Sequence, residues 1–182
     1  MRARLRSWLL LASALVLGWT TEARAKVYLT REEATRLAFG LSATVSEERR
    51  ALSPQVRTAI ERRLGRPVPE EAFTFYVGRS ADRAQGYGVV LEEMGKHEPI
   101  TFFVAITPDG HVKDVLVLEY RESRGGEVRQ NGFLKQYVGK TNHDPMELDQ
   151  DITPMTGATI SARAISDGVK KALTIWEAFY KK

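Results

Sequence analysis

Two threonines separated by two small residues, Thr156, Gly157, Ala158 and Thr159, stand directly before an amphipathic segment at 160–180. The small residues allow another molecule to approach the backbone closely, and a threonine hydroxyl lies where the segment begins as a helix. The first N–H groups of a helix have no partner within it and lie at the positive end of its dipole, so this position suits a phosphate group. Threonine at a helix start is also an ordinary cap. The tetrapeptide alone is compatible with both interpretations.

The charge of the chain argues against a nucleic-acid partner. The 182 residues include 27 Lys and Arg and 23 Asp and Glu, and the part after residue 25 keeps 23 of the basic and 22 of the acidic residues. Binding to nucleic acid requires a concentrated basic face. The nearly neutral balance after residue 25 predicts no nucleic acid among the partners.

The first 25 residues have the pattern of an export signal. Three arginines within the first six residues precede an apolar run at 8–19, which is too short to span a bilayer comfortably. Ala23 and Ala25 then give the small-x-small pattern that precedes a cleavage site. We therefore predict cleavage between Ala25 and Lys26 and a periplasmic protein. The alternative is an uncleaved segment that anchors the protein in the inner membrane, facing the periplasm.

The residue types exclude several classes of site. The chain has no cysteine, and therefore no disulfide, iron–sulfur cluster, thiolate zinc site or covalent haem. Its three histidines, His97, His111 and His143, lie in three different segments, which is typical of surface or core histidines and not of a metal cluster. The Gly-x-Ser-x-Gly motif, which marks the nucleophile of many hydrolases, does not occur in the chain. We predict no metal and no catalytic residue, and leave open whether the protein is an enzyme.

The hydrophobic periodicity predicts helices before and after a run of strands. A capping box at Thr30 begins a helix that extends to Phe39, and the Ser53-Pro54 pair begins a second helix that ends at Gly65. Both are expected to precede any strand. Four segments rich in Val, Ile, Phe and Tyr then read as strands: 72–78, 86–94, 100–107 and 112–121.

The remaining pattern predicts how these elements pack. Residues 100–106 are apolar on both faces, so this strand should lie in the middle of the sheet and be covered by helices. A short helix is expected at 133–139, an irregular segment at 142–154 and a long helix at 160–180. The fold class is α+β, with a central, largely antiparallel sheet flanked by helices.

Three blocks of the sequence, 117–125, 133–140 and 156–161, resemble the FMN-binding domain found in the extracytoplasmic flavin subunits of the sodium-pumping quinone reductase and of Rnf-type complexes. The resemblance covers roughly residues 86–172. It implies FMN as cofactor, and Thr159 as the residue esterified to the FMN phosphate by an exported transferase that uses FAD as donor. The family usually has an aspartate closer to this motif than Asp151 is here.

The resemblance also implies a set of cofactor-binding residues around the flavin. Thr156, Gly157, Ala158 and Ser161 belong to the motif around Thr159, and Gly157 and Ala158 keep side-chain bulk away from the phosphate.

A second region is expected to border the flavin ring. The loop at 122–126 carries the family's Glu-x-x-Gly pattern as Glu122 and Gly125, and glycines let backbone N–H groups approach a flavin closely. Tyr87, which stands between two glycines at a strand start, is also expected to border the ring. The alternatives are that the glycines of the loop only turn the chain and that those beside Tyr87 form a bulge.

These observations predict an exported electron carrier with covalent FMN, which exchanges electrons with membrane or periplasmic proteins. The alternatives are a module that binds FMN or another phosphate ligand non-covalently, and a small periplasmic flavin reductase. The predicted organisation is a signal peptide at 1–25, a helical region at 26–70 packed on the domain, and the FMN-binding domain at 71–182.

Overall fold

The computed structural model describes residues 26–81 and 83–181. The predicted signal peptide lies outside the described residues. The strands are β1 (Lys26–Val27), β2 (Thr44–Ala51), β3 (Ala72–Ser80), β4 (Arg83–Met94), β5 (Pro99–Ile106) and β6 (Val112–Tyr120). The α-helices are α1 (Arg31–Phe39), α2 (Pro54–Leu64), α3 (Asn131–Leu134) and α4 (Thr159–Tyr180), and short 3₁₀ turns flank α3 at Gly126–Arg129 and Lys135–Tyr137.

The strands form one antiparallel sheet in the order β1-β6-β5-β4-β3-β2. The position of β5 inside this sheet confirms the prediction from its apolar faces, and its residues from Ile100 to Ile106 are all buried. The four central strands lie within three residues of their predicted bounds. The fold class predicted from the sequence is therefore confirmed.

Helices cover both faces of the sheet. On one face, α4 packs with α2 over a core that includes Phe75, Phe102 and Val104. On the other face, α1 packs over a smaller core that includes Phe39 and Phe103. A strand buried on both faces has apolar side chains in both directions, which is the pattern that marks β5 in the sequence. This arrangement fixes α4 against the sheet along its length.

The starts of α1 and α2 follow their sequence signals. The hydroxyl of Thr30 accepts the N–H of Glu33 at 3.1 Å, and the Glu33 carboxylate accepts the N–H of Thr30 at 2.8 Å. Ser53 caps α2 by accepting the N–H of Val56. These contacts satisfy N–H groups that have no partner inside the helix. Both predicted helix starts are confirmed.

Two strands were missed in the segment before residue 71. β2 pairs with β3 along its whole length, and β1 pairs with β6, so the prediction that two helices precede any strand is wrong. Most of β2 is exposed and its sequence carries four consecutive charged residues at 47–50. Charged side chains are common on edge strands because they discourage pairing with other chains, and they remove the apolar alternation by which a strand is recognised.

A membrane-spanning helix does not occur among residues 26–81 and 83–181, since none of the helices there combines sufficient length with sufficient apolar character.

Candidate functional site

The helix α4 begins without a side-chain cap. Thr159 is its first residue and is exposed, while Ala158 occupies the N-cap position and offers no side-chain acceptor. The interpretation of Thr159 as an ordinary cap is therefore wrong. Gly157 adopts a left-handed conformation with φ of +80°, which glycine reaches without steric cost, and this residue turns the chain into the helix.

The uncapped start leaves several donors free. The first α-helical bond joins the N–H of Ala162 to the carbonyl of Ala158 at 2.8 Å. The N–H groups of Thr159, Ile160 and Ser161 precede this bond and have no acceptor within residues 26–81 and 83–181. Three donors at the positive end of a 22-residue helix, beside an exposed hydroxyl, form a site for an anion.

A cleft of about 360 Å³ lies at this helix start, within the size range of small-molecule sites. One wall is the segment from Gly157 to Ser161. The opposite wall is formed by residues of a turn and a loop that are distant in sequence: Lys96, Glu122, Arg124 and Gly125. The structure thus brings together in one cleft six of the eight residues that were predicted to lie at the phosphate or the flavin ring. Their contact with a cofactor stays a prediction.

The loop at 122–126 is attached to α4 through Tyr120. The Tyr120 hydroxyl donates to the carbonyl of Arg124 at 2.6 Å, and so it accepts the hydroxyl of Ser161 at 2.9 Å. Burial raises the pKa of Tyr120, so the phenol stays a neutral donor. Gly125 has φ of +81°, and a Cβ added there would lie 2.7 Å from the Tyr120 hydroxyl oxygen. Glycine is therefore required for this close approach, beyond its function in turning the chain.

Glu122 contacts the turn that joins β4 to β5. Its Oε1 atom accepts the N–H of His97 at 2.7 Å and that of Glu98 at 3.3 Å. The turn is closed by a bond from the N–H of Gly95 to the carbonyl of Glu98 at 2.9 Å. Lys96, which belongs to this turn, lines the cleft opposite Thr159. Lys96 was not among the residues predicted from the sequence, because nothing local indicates that this turn faces the start of α4.

The charges of the cleft favour an anion. Lys96 and Arg124 both line it, and neither has a carboxylate within ion-pair distance in the described part of the chain. Glu122 is the acidic residue of the lining, and its Oε1 atom is bound to backbone N–H groups. The positive charge of the two cations and of the free N–H groups of α4 therefore exceeds the negative charge of Glu122, whose Oε1 atom already accepts two hydrogen bonds.

Two predicted positions lie away from the cleft. Thr156 is exposed and is absent from the cleft lining. The Tyr87 ring packs against Trp176 and Tyr180, with ring centroids 5.9 and 4.3 Å apart. Trp176 follows Thr159 by seventeen residues of α4, which is about 25 Å along the helix axis at 1.5 Å per residue. Tyr87 therefore packs at the other end of α4 from the cleft, and its flanking glycines leave room for the rings of Phe39 and Phe103.

Asp151 organises the irregular segment before the motif. Its carboxylate accepts from Lys140 Nζ at 2.7 Å and from the N–H groups of Glu147 and Met146 at 2.9 and 3.2 Å. Burial alone would raise the pKa of Asp151, but these donors hold it below its ordinary value. The side chain stabilises the fold of this segment, which sets the path of the chain into Thr156.

Comparison with known proteins identifies the class of the domain. Residues 95–174, less than half of the chain, match the family model of the FMN-binding domain. The match confirms the resemblance predicted from the sequence, and with it FMN as the cofactor.

The more particular similarity is to two curated proteins. Over 107 residues the chain is 31% identical to a subunit of the proton-translocating ferredoxin:NAD(+) oxidoreductase complex of Clostridium ljungdahlii, covering 54% of this chain. Over 128 residues it is 24% identical to a subunit of the Na(+)-translocating ferredoxin:NAD(+) oxidoreductase complex of Acetobacterium woodii, covering 65% of this chain. The chain spans only 57% and 62% of the lengths of these two relatives.

Solved structures support the fold. The crystal structure of NqrC from Shewanella oneidensis superposes with a TM-score of 0.54 at 16% identity, covering 85% of this chain and 89% of that one. The crystal structure of a subunit of the Na(+)-translocating NADH-quinone reductase of Parabacteroides distasonis gives 0.51 at 12% identity, covering 76% and 79% of the two chains. At these identities the similarity shows a shared fold.

The residues of the cleft fit FMN. The phosphate needs donors and positive charge, which the three free N–H groups of α4 and the cations Lys96 and Arg124 offer. Ala158 and Gly157 leave the backbone accessible beside Thr159. A second hollow of about 440 Å³ adjoins the cleft across the loop at 122–126 and shares Glu122, Arg124 and Gly125 with it. Together they offer room on both sides of this loop.

Proposed function

We propose that the protein is an exported electron carrier that holds FMN through a phosphoester to Oγ1 of Thr159. One observation supports this above the others: Thr159 presents an exposed hydroxyl at a helix start where three backbone donors have no acceptor among the described residues. An exposed hydroxyl among such donors lies where a phosphate would be bound and close enough to become esterified to it.

In the attachment reaction, FAD donates its FMN half to Thr159 and releases AMP. The Thr159 oxygen forms a bond to the phosphorus of the FMN half, the bond from that phosphorus to the AMP oxygen breaks, and AMP leaves while the hydroxyl proton is removed. The free N–H groups of α4 stabilise the negative charge on the phosphate oxygens. We assign removal of the proton to the FAD-dependent FMN transferase, which the family resemblance implies as the maturation partner.

Once attached, FMN supplies the electron-transfer chemistry, and the protein positions it. The phosphoester fixes one end at Thr159, and the loop held by Tyr120 and Ser161 borders the cleft at a fixed distance from α4. The curated relatives are subunits of ferredoxin:NAD(+) oxidoreductase complexes. We therefore propose membrane or periplasmic electron-transfer proteins as partners.

The test uses the full chain produced together with the transferase. Flavin absorbance should remain with the protein after denaturation and acid precipitation, and Thr159→Ala should abolish it. Thr156→Ala is the matched control, because it removes a neighbouring exposed hydroxyl outside the cleft. Retention of denaturation-resistant flavin by Thr159→Ala would show that another residue is the acceptor. Flavin that is lost from the native chain on denaturation would favour the non-covalent module.

The export proposal has a separate test. N-terminal sequencing of the protein from the periplasmic fraction should begin at Lys26. A membrane-bound chain that retains Arg2 would favour the anchored alternative.

A further inference from the structure

We propose that Lys96 binds the phosphate of FMN from the wall of the cleft opposite Thr159, and that Glu122 is a positioning residue that holds Lys96 there. The inference rests on the proposed function, since it takes the start of α4 as the phosphate site. It assigns Glu122 a contact with the protein backbone and not with the cofactor.

The turn between β4 and β5 folds around the Glu122 carboxylate. Oε1 of Glu122 accepts two successive N–H groups of the turn, from His97 and Glu98. A Cβ added at Gly95 would lie 2.6 Å from this oxygen and 2.9 Å from the carbonyl oxygen of Glu98. Glycine at position 95 therefore leaves the space that the carboxylate occupies. The bonds to Glu122 hold the turn in this form, and the turn in this form places Lys96 at the cleft.

Lys96 carries an uncompensated charge into the cleft. Its side chain is exposed, lines the cleft with Thr159, and has no carboxylate within 4.0 Å among the described residues. Lys140, Lys171 and Lys181 each contact a carboxylate. Four other lysines of the described residues have no ion pair either, but Lys96 is the lysine that lines the cleft. A lysine that has no acidic partner and lines the same cleft as three free N–H groups is suited to an anionic group bound between them.

The negative charge of Glu122 disfavours any direct contact with a phosphate. A carboxylate that lines an anion site lowers the affinity of that site by repulsion, unless it supplies something in return. Here it supplies Oε1 as the acceptor for two backbone N–H groups of the turn. A glutamine at position 122 would keep an acceptor oxygen for the turn and remove the repulsion. An alanine would remove both.

The first test compares FMN with riboflavin, which lacks the phosphate. The full chain is produced without the transferase, and the two dissociation constants are measured by quenching of flavin fluorescence at low ionic strength. Lys96→Gln should weaken FMN binding by about fivefold, the upper range for one exposed charge pair, and leave riboflavin binding unchanged. Lys96→Arg should keep the preference for FMN. An unchanged ratio of FMN to riboflavin affinity in Lys96→Gln, or no preference for FMN in the native chain, would overturn the proposal.

The second test separates positioning from direct contact. Glu122→Gln should bind FMN at least as tightly as the native chain, whereas Glu122→Ala should bind it about as weakly as Lys96→Gln. The double variant Glu122→Ala with Lys96→Gln should be no weaker than either single variant, because both changes remove the same interaction. Additive losses, or equal affinities for Glu122→Ala and Glu122→Gln, would show that Glu122 does not act through Lys96.

Covalent loading of the same variants keeps this inference separate from the proposed function. Denaturation-resistant flavin on Lys96→Gln, with an unchanged preference for FMN, would refute the assignment of Lys96 and leave Thr159 as acceptor. Failure of the native chain to retain flavin after denaturation would refute covalent attachment, whatever the dissociation constants show.

Discussion

The two ends of α4 differ in whether other parts of the described chain cover them. At the C-terminal end, the Tyr180 hydroxyl donates to Glu48 at 2.9 Å and accepts from Arg50 at 3.3 Å, and its ring packs on those of Phe75 and Tyr87. At the N-terminal end, the first three N–H groups of the helix, from Thr159 onward, have no acceptor in the described part of the chain. One end is covered by other parts of the described chain, while the other leaves three backbone donors without an acceptor there.

This contrast separates Tyr87 from Gly125, although the sequence predicts that both residues border the flavin ring. Tyr87 has the sequence context of a ligand contact, yet its ring belongs to the packed end of α4 with Trp176. Gly125, which belongs to the Gly125-Gly126 pair of the loop, lies at the open end, where a Cβ added to it would be 3.0 Å from the Ser161 hydroxyl oxygen. The location along α4 decides the function, and the local sequence does not report it.

The largest effect on stability is expected at the packed end. Trp176 is 4% exposed and contacts Tyr87 and Gly110. Trp176→Ala should reduce the free energy of unfolding by about 3–5 kcal/mol, because it leaves a cavity in the core. Urea denaturation measures this change, and Trp176→Phe serves as the control that keeps most of the volume. The folded fraction should still load flavin, and a specific loss of loading would contradict the separation of the two ends.

A smaller effect is expected where the loop meets the open end. Gly125→Ala combines a positive φ with a Cβ 2.7 Å from the Tyr120 oxygen, and should cost about 2 kcal/mol or more. Gly157→Ala is the matched control, because its φ is +80° with no atom within 4 Å, and it should cost only about 1 kcal/mol. Gly125→Ala should also shift the flavin absorption or reduction potential without changing the covalent yield. Equal costs and an unchanged spectrum would place the ring elsewhere.

Removal of the Tyr120 hydroxyl should loosen the contact between the loop at 122–126 and the start of α4 without introducing strain. Tyr120→Phe removes the bonds to the Arg124 carbonyl and to the Ser161 hydroxyl. It should lower the free energy of unfolding by about 1–2 kcal/mol, because two hydrogen bonds with a net value of about 1 kcal/mol or less each are lost. Hydrogen exchange should accelerate in the loop at 122–126 and not at the C-terminal end of α4. Uniform acceleration along α4 would indicate that its two ends are not independent.

The smallest effect depends on pH and concerns the segment that leads into the open end. The pKa of Asp151 is lowered in the folded protein, so its contribution to stability is present above the ordinary value of 3.8 and is lost as the pH falls through the lowered pKa. Asp151→Asn should therefore be less stable than the native chain at neutral pH, and the difference should shrink below pH 3.8. Thermal melts at several pH values measure it. A difference independent of pH would mean that the charge of Asp151 is not involved.

Local signals allowed most of the fold to be predicted from the sequence. The capping box at Thr30, the Ser53 cap and the apolar pattern of β5 each depend on residues close together in the chain. β2 lacked such a signal, because an exposed edge strand with charged side chains shows no apolar alternation.

The candidate site was predictable only in part. Thr159 and its neighbours form a contiguous motif, and the family resemblance added Glu122 and Gly125. Lys96 could not be found in this way, because its position at the cleft depends on the pairing of β4 with β5 and on the contact of Glu122 with the turn between them. Contacts between distant segments set the second wall of the cleft, and they become visible only in the folded chain.

The most direct test of covalent FMN at the open end of α4 is the site of attachment in the mature protein. The full chain, produced with the transferase, is analysed by intact mass and then by fragmentation of the peptide that contains Thr156 and Thr159. Attachment through a phosphoester predicts a mass increase of one FMN minus one water, located on Thr159. A mass increase located on Thr156 would contradict attachment at Thr159. An unchanged mass of the native chain after production with the transferase would contradict covalent attachment altogether.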